Sequence, residues 1–237
     1  MSDPLTSKKE GVIVKISQIA GFLGSGKTTA LMKIVDELVA RGIKVAIVVN
    51  DVGDISVDAK FIEAHGLKAK EISGGCICCE IAGTFAATIA KLHDSFHPDI
   101  VIVEPSGVAI PWGLKRAAEY SEVKSEEKLV ITHAPVITLV DASRINMLMR
   151  AVKRLVETQI READVCFVNK IDMASPEEIK IAEDFIKSIN PHAEISHMSA
   201  ETGEGISHAC DLIQNGTSAR YDESVDIERE RLQKEYD

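Results

Sequence analysis

The stretch Gly21-Phe-Leu-Gly-Ser-Gly-Lys-Thr28 constrains this chain more than any other. An apolar, β-branched run from Val12 to Ala20 leads into it. After it, Ala30, Leu31, Ile34, Val35, Leu38 and Val39 recur at helical spacing until Gly42 ends the run. Strand, glycine-rich turn and helix in that order match the P-loop pattern, which carries its meaning only in that context. Gly24, Ser25 and Gly26 let successive backbone N–H groups converge with the helix N-terminus on one concavity, a cradle for phosphate oxygens. Thr29 belongs to the same first turn. Lys27 is placed to reach the β- and γ-phosphates, and the Thr28 hydroxyl to ligate Mg²⁺.

Further strands are expected at Lys44–Val49, Ile100–Val103, Val136–Val140, Val165–Val168 and, more weakly, Glu194–His197. Helical patterns separate them over Ala82–His93, Pro111–Tyr120, Ser143–Ile160 and Ser175–Ile189; the last opens with Ser175-Pro-Glu-Glu178, a cap signature. Near-continuous apolar strands alternating with amphipathic helices imply an α/β fold, a mostly parallel sheet flanked by helices on both faces. Residues 1–11 read as a flexible N-terminus, 12–216 as one nucleotide-binding domain and 217–237 as a charged tail. Ser121–Lys128 reads as an exposed loop.

Composition excludes several classes. With 237 residues, 45% hydrophobic and 27% charged, the chain is long enough for one substantial core. A net charge of −10 argues against binding to nucleic acid or an anionic membrane, both of which need basic surface. No apolar run approaches a membrane span, and Met1–Glu10 lacks the apolar stretch of a signal peptide, so a cytoplasmic location is expected.

Two strand ends add chemistry to the cradle. Asn169-Lys-Ile-Asp172 follows the strand Val165–Val168. The Asp172 carboxylate can accept hydrogen bonds from N1–H and the 2-amino group of guanine, whereas adenine would leave it unpaired at a cost. Asn169 supports this loop, the Lys170 stem can lie along the base, and Ser199-Ala200 is expected to offer a backbone N–H to the guanine oxygen. Ile100–Val103 runs into Glu104-Pro-Ser-Gly107, where Glu104 is positioned to bind Mg²⁺ or orient the attacking water, and Gly107 to offer an N–H near the γ-phosphate. Asp51, in Asn50-Asp-Val-Gly-Asp54, is a further candidate Mg²⁺ ligand.

Of five cysteines, three lie in Gly74-Gly-Cys-Ile-Cys-Cys79. An odd count argues against a disulfide framework. Cys76, Cys78 and Cys79 together suit one borderline ion: Zn²⁺ first, with Co²⁺, Ni²⁺ and Cu⁺ also acceptable to thiolates. Small packing residues or a redox pair are the alternatives; adjacency of Cys78 and Cys79 gives no packing advantage. Three ligands leave a fourth position open, which suits exchange. The segment falls between the P-loop helix and Glu104, so metal and γ-phosphate would bias each other. His65, in the same stretch, is the histidine best placed to join them.

Taken together, Gly21–Thr29, Gly74–Cys79, Glu104–Gly107 and Asn169–Asp172 resemble, in order across residues 12–215, the CobW-like metallochaperone GTPases, relatives of the urease and hydrogenase nickel-insertion GTPases. The resemblance implies a SIMIBI-type domain, slow GTP hydrolysis through Lys27 and Glu104, metal on Cys76, Cys78 and Cys79, and delivery of a metal or metallocofactor to a client metalloprotein or corrinoid protein. A metal-gated regulator that delivers nothing is the alternative, and an ATP-using kinase or ligase a third, against which Asn169–Asp172 argues. Pairing of two copies across the nucleotide is compatible with it. Such proteins typically carry a second, C-terminal domain, which residues 217–237 do not supply, so a short form is expected.

Overall fold

A computed structural model describes residues 12–49, 68–71, 80–107, 111–126 and 128–219. Among them run seven strands: β1 (Val12–Gly21), β2 (Val45–Val49), β3 (Lys68–Glu71), β4 (Ile100–Glu104), β5 (Leu129–Asp141), β6 (Val165–Asn169) and β7 (Glu194–Met198). Their order is β3-β2-β4-β1-β5-β6-β7, and every ladder is parallel. β2, β4 and β6 are buried at every position, which is why their sequences read as unbroken apolar runs rather than alternating ones.

Helices cover both faces. On one face, α1 (Lys27–Ala40) and α8 (Ile206–Asn215) pack Leu31, Ile34, Leu38, Ala209 and Ile213 against Ile47, Ile102, Ile137 and Phe167. On the other, α2 (Glu80–Phe96) and α3 (Pro111–Glu119) press Phe85, Ile89 and Leu114 onto Val14, Val48 and Val101. Beyond β5 on that same face lie α5 (Ile145–Ala151), α6 (Lys153–Arg161) and α7 (Pro176–Ile189), packed on Val140, Cys166 and Val168. α7 begins as its sequence signals, with a complete capping box between Ser175 and Glu178.

The structure departs from the sequence expectations at six places. β5 starts at Leu129, not Val136, and runs through Pro135; the register with β1 shifts between Ile16 and Gln18, at the point where the proline withholds its N–H from the ladder. β3, Lys-Ala-Lys-Glu, is a polar sheet edge with no apolar signal to read. α8 repeats Ile206, Ala209, Cys210 and Ile213 at one buried stripe, and the sequence reading passes over it. The single helix expected over Ser143–Ile160 is broken: a 3₁₀ turn (Ala142–Arg144) precedes α5, and Val152, at φ −142°, separates α5 from α6. Ser121–Lys124 is a short helix, α4, with Ser121 buried, and the Glu122 carboxylate accepts from the Ile131 N–H at 2.7 Å. The start of the expected tail also docks, since the Ser218 N–H donates to the His133 carbonyl at 2.8 Å.

Because all strands run one way, their carboxyl ends share one edge of the sheet. β1 leads by way of α1 to β2 on one side, and β4 leads to β5 on the other, so the crevice of a doubly wound sheet opens above β1.

Ile34→Ala, fully buried where α1 meets α8 and the sheet, is expected to cost about 2–5 kcal/mol. Urea unfolding measures it; an unchanged midpoint would mean that α1 is not part of this core.

Candidate functional site

Four strand ends meet at that edge. β1 ends in the P-loop, where Gly21, Gly24 and Gly26 adopt φ of 140°, 70° and 96°. Two of these have no room for a side chain. A Cβ on Gly21 would stand 2.6 Å from the Leu139 carbonyl oxygen, and one on Gly26 would stand 2.5 Å from the Asn169 side-chain nitrogen. The turn is closed by the Ser25 N–H on the Phe22 carbonyl (3.0 Å) and runs straight into α1, whose cap residue is Gly26. Lys27 is buried, its ammonium 3.4 Å from the Phe22 carbonyl, so its charge lies over the loop rather than in solvent.

The fold brings Thr28 and Glu104 together: the Thr28 hydroxyl donates to Glu104 Oε1 at 2.7 Å. Glu104 is buried at the end of β4. Hydroxyl and carboxylate oxygens are the donor set that Mg²⁺ takes, and the glycine cradle beside them has the shape and N–H supply of a phosphate site. The chemistry of these residues fits a nucleotide–Mg²⁺ complex. Gly107 presses on the P-loop, where a Cβ would stand 2.7 Å from the Leu23 nitrogen, and its carbonyl accepts from Gln159 Nε2 at 3.0 Å.

Asn169, at the end of β6, is fully buried. Its Nδ2 donates to the Ser25 carbonyl at 2.7 Å, and its Oδ1 accepts from the Ala200 N–H at 3.0 Å. One carboxamide therefore joins the P-loop, β6 and the turn after β7. This corrects the role expected of Ser199-Ala200. The Ala200 N–H is committed to Asn169, and the Ser199 N–H to the Glu204 carbonyl (3.0 Å), so neither is presented to a base. The turn contributes shape instead, with the Ser199 hydroxyl accepting from the Thr202 N–H at 3.1 Å. Asp172 is exposed at the rim, and Thr29 is exposed on α1.

Lys170 is in the left-handed region, φ 65°, and its ammonium pairs with Asp141 at 2.8 Å. Asp141 ends β5 and is wholly buried; it also accepts from Arg144 Nε at 2.6 Å and from the Ser143 hydroxyl at 2.7 Å. Burial pushes this carboxyl up, but the hydrogen bonds from Lys170, Ser143 and Arg144 outweigh it and hold the group below its ordinary value. Arg144 Nη2 in turn donates to the P-loop carbonyl of Leu23 at 3.0 Å. The sequence reading misses Asp141, Arg144 and Gln159. The signal for Asp141 is the one that reveals Glu104, an acid at the carboxyl end of a strand beside β1.

Asp51, His65, Cys76, Cys78 and Cys79 lie outside the described residues. Among the described ones no group of three or more His, Cys, Asp or Glu is arranged to hold a metal, and no helix is long and apolar enough to cross a membrane. The two remaining cysteines belong to the core: burial pushes the Cys166 and Cys210 thiols up to about 12, so they are protonated packing residues.

Residues 15–197 match the family described as CobW/HypB/UreG, nucleotide-binding domain, and the chain belongs to that family. Among curated relatives, a zinc chaperone CobW of Sinorhizobium sp is 29% identical over 198 residues, 72% of this chain and 54% of the relative. A zinc-regulated GTPase metalloprotein activator 1 of Dictyostelium discoideum is 29% identical over 213 residues, 76% of this chain and 44% of the relative. The chain thus spans about half the length of these relatives. The hydrogenase maturation factor HypB of Archaeoglobus fulgidus shares the fold at a TM-score of 0.60 and 21% identity, covering 85% of this chain and 89% of that one.

Asn169→Ala strands the Ser25 carbonyl and the Ala200 N–H in a buried setting, at an expected cost of about 2–4 kcal/mol. Its urea midpoint should fall with the slope unchanged. For Asp141 the folded-state pKa is the lowered one. Its stabilisation is therefore complete above the ordinary carboxylate value of about 4 and is lost as pH falls through the folded-state value. The stability gap between wild type and Asp141→Asn should then narrow on acidification; a gap that widens would contradict the assignment.

Proposed function

We propose that this member of the CobW/HypB/UreG family binds GTP with Mg²⁺, hydrolyses it slowly, and uses the nucleotide state to bind and hand over a metal ion to a client metalloprotein in the cytoplasm. The carrying observation is the Asn169 carboxamide, which fixes the turn bearing Asp172 against the phosphate cradle. A guanine-reading carboxylate is useful only at a set distance from the phosphates, and this bond sets it.

In the proposed complex, the N–H groups of Gly24, Ser25 and Gly26 and the α1 N-terminus take the phosphate oxygens. Lys27 neutralises the β- and γ-phosphates, and with Glu104 forms the catalytic pair. The Thr28 hydroxyl and the Glu104 carboxylate, already 2.7 Å apart, hold Mg²⁺ with Asp51 as a third candidate. When bound, Mg²⁺ offsets the charge that develops between the β- and γ-phosphates. Asp172 accepts from guanine N1–H and the 2-amino group, Lys170 lines the base with its stem, and the Ser199-Ala200 turn forms the wall behind it. Gly107 lies against Leu23, so a change at the γ-phosphate is felt at once by the segment after β4.

The cargo is a substrate rather than a resident cofactor. Cys76, Cys78 and Cys79 are proposed as its thiolate ligands, and the names of the relatives, zinc chaperone and zinc-regulated GTPase metalloprotein activator, support Zn²⁺ over Co²⁺ or Ni²⁺.

Nucleotide competition against a fluorescent GDP tests the first half. GTP should displace it, ATP should do so at least about a hundredfold less well, a discrimination typical of sites that leave a polar group unpaired with the wrong ligand. Lys27→Ala should lose binding. Zinc transfer to a chelator tests the second half: release that follows GTP hydrolysis, and is absent in Cys78→Ala with GDP binding intact, is expected. Equal ATP competition would overturn the guanine assignment. Zinc that alters turnover but is never released would replace delivery by metal-gated regulation.

A further inference from the structure

The Asp141 carboxylate reaches both halves of the nucleotide site, and the proposed function makes no use of it. In the sheet order its strand, β5, lies between β1, which carries the P-loop, and β6, which carries Asn169; Asp141 is in register with Asn169. With 0% exposure it cannot remain charged without partners. Two of its partners are cations, and each ties it to one half. Lys170 comes from the base-reading turn, at 2.8 Å. Arg144 comes from the turn after β5, at 2.6 Å through Nε, and its other end reaches the P-loop.

Both cations are held in place by more than attraction. Arg144 donates Nη2 to the Leu23 carbonyl and lies flat on Gly24, where a Cβ would stand 3.0 Å from that nitrogen. The planar fork of the guanidinium allows the two contacts at once, which an ammonium does not. Lys170 takes φ 65°, a conformation that costs an L-residue about 1–2 kcal/mol. Its ion pair with a buried carboxylate offsets that and pins the turn ending in Asp172. Arg144 is 35% exposed at its side chain and Lys170 27%, so both stand at the mouth of the site with their charged ends turned inward to Asp141.

We infer that Asp141 is a positioning residue shared by the two loops, so that discrimination of the base depends on Arg144, whose polar contacts among the described residues are with the phosphate loop and Asp141. The inference rests on the guanine reading above. Loss of the Arg144 contact leaves Asp141 with one cation. Lys170 then settles toward the carboxylate, and the turn carrying Asp172 moves with it. Reciprocally, a base that fits the turn stiffens the P-loop through the same carboxylate.

The test is the ratio of the affinities for GDP and inosine diphosphate, which lacks only the 2-amino group that Asp172 would accept. A general loss of stability weakens both nucleotides alike and leaves the ratio unchanged. Arg144→Ala should lower the ratio at least fivefold, and Arg144→Lys, which keeps the charge but not the fork, should fall between. Because Arg144 is partly exposed, the alanine variant should fold; if it does not, the lysine variant carries the measurement. A wild type that prefers guanine, with an Arg144→Ala ratio within twofold of it, overturns the coupling alone. A wild type that binds ADP as well as GDP overturns the guanine reading and the coupling with it.

Discussion

The buried carboxamide of Asn169 is the contact on which the site depends. Its Nδ2 and Oδ1 are both spent, on the Ser25 carbonyl and the Ala200 N–H, so the phosphate loop and the turn after β7 share one rigid bridge. Each partner would otherwise be a polar backbone group without water. The same close approach explains Gly26: any side chain there would collide with the Asn169 amide. A sequence requirement at residue 26 is thus set by a residue 143 positions away in the chain, across the crevice.

Around that bridge the parallel sheet acts as a jig. Buried strands fix where β1, β4, β5 and β6 end, and the residues just at those ends, Gly21, Glu104, Asp141 and Asn169, become the functional edge. The packing of α1 into the core fixes the direction in which Lys27 and Thr28 face. The two acids at the edge are treated differently by their surroundings. Glu104 meets a hydroxyl that shares its preference for a hard cation. Asp141 meets an ammonium, a guanidinium and a hydroxyl, and so is spent on holding loops together.

Much of this was legible in the sequence because it is local. Gly21–Thr28, Glu104 and Asn169–Asp172 are short strings whose geometry follows from a strand ending in a turn, and the fold brings Thr28 onto Glu104 and Asn169 onto Ser25. What escaped is non-local or has no apolar signature. β3 is polar because it is an edge. β5 looks broken at Pro135, where the partner strand shifts register. In the sequence the Ser199-Ala200 turn offers its N–H groups to a ligand, and only the folded chain shows them donated to Asn169 and Glu204. Arg144 reads as the start of a helix until the fold lays it on Gly24. The six parallel ladders of the described sheet sharpen the expected mostly parallel sheet.

The central claim is that the Asn169 carboxamide joins the P-loop, β6 and the turn after β7 through the chain's own hydrogen bonds. The most direct measurement is hydrogen exchange of the Ala200 backbone amide in nucleotide-free protein, followed by NMR. Bonded to Asn169 in a buried site, it should exchange about a hundredfold or more slower than an exposed amide, as protected segments do. Exchange as fast as an unstructured loop, with protection appearing only when GDP is added, would contradict the claim.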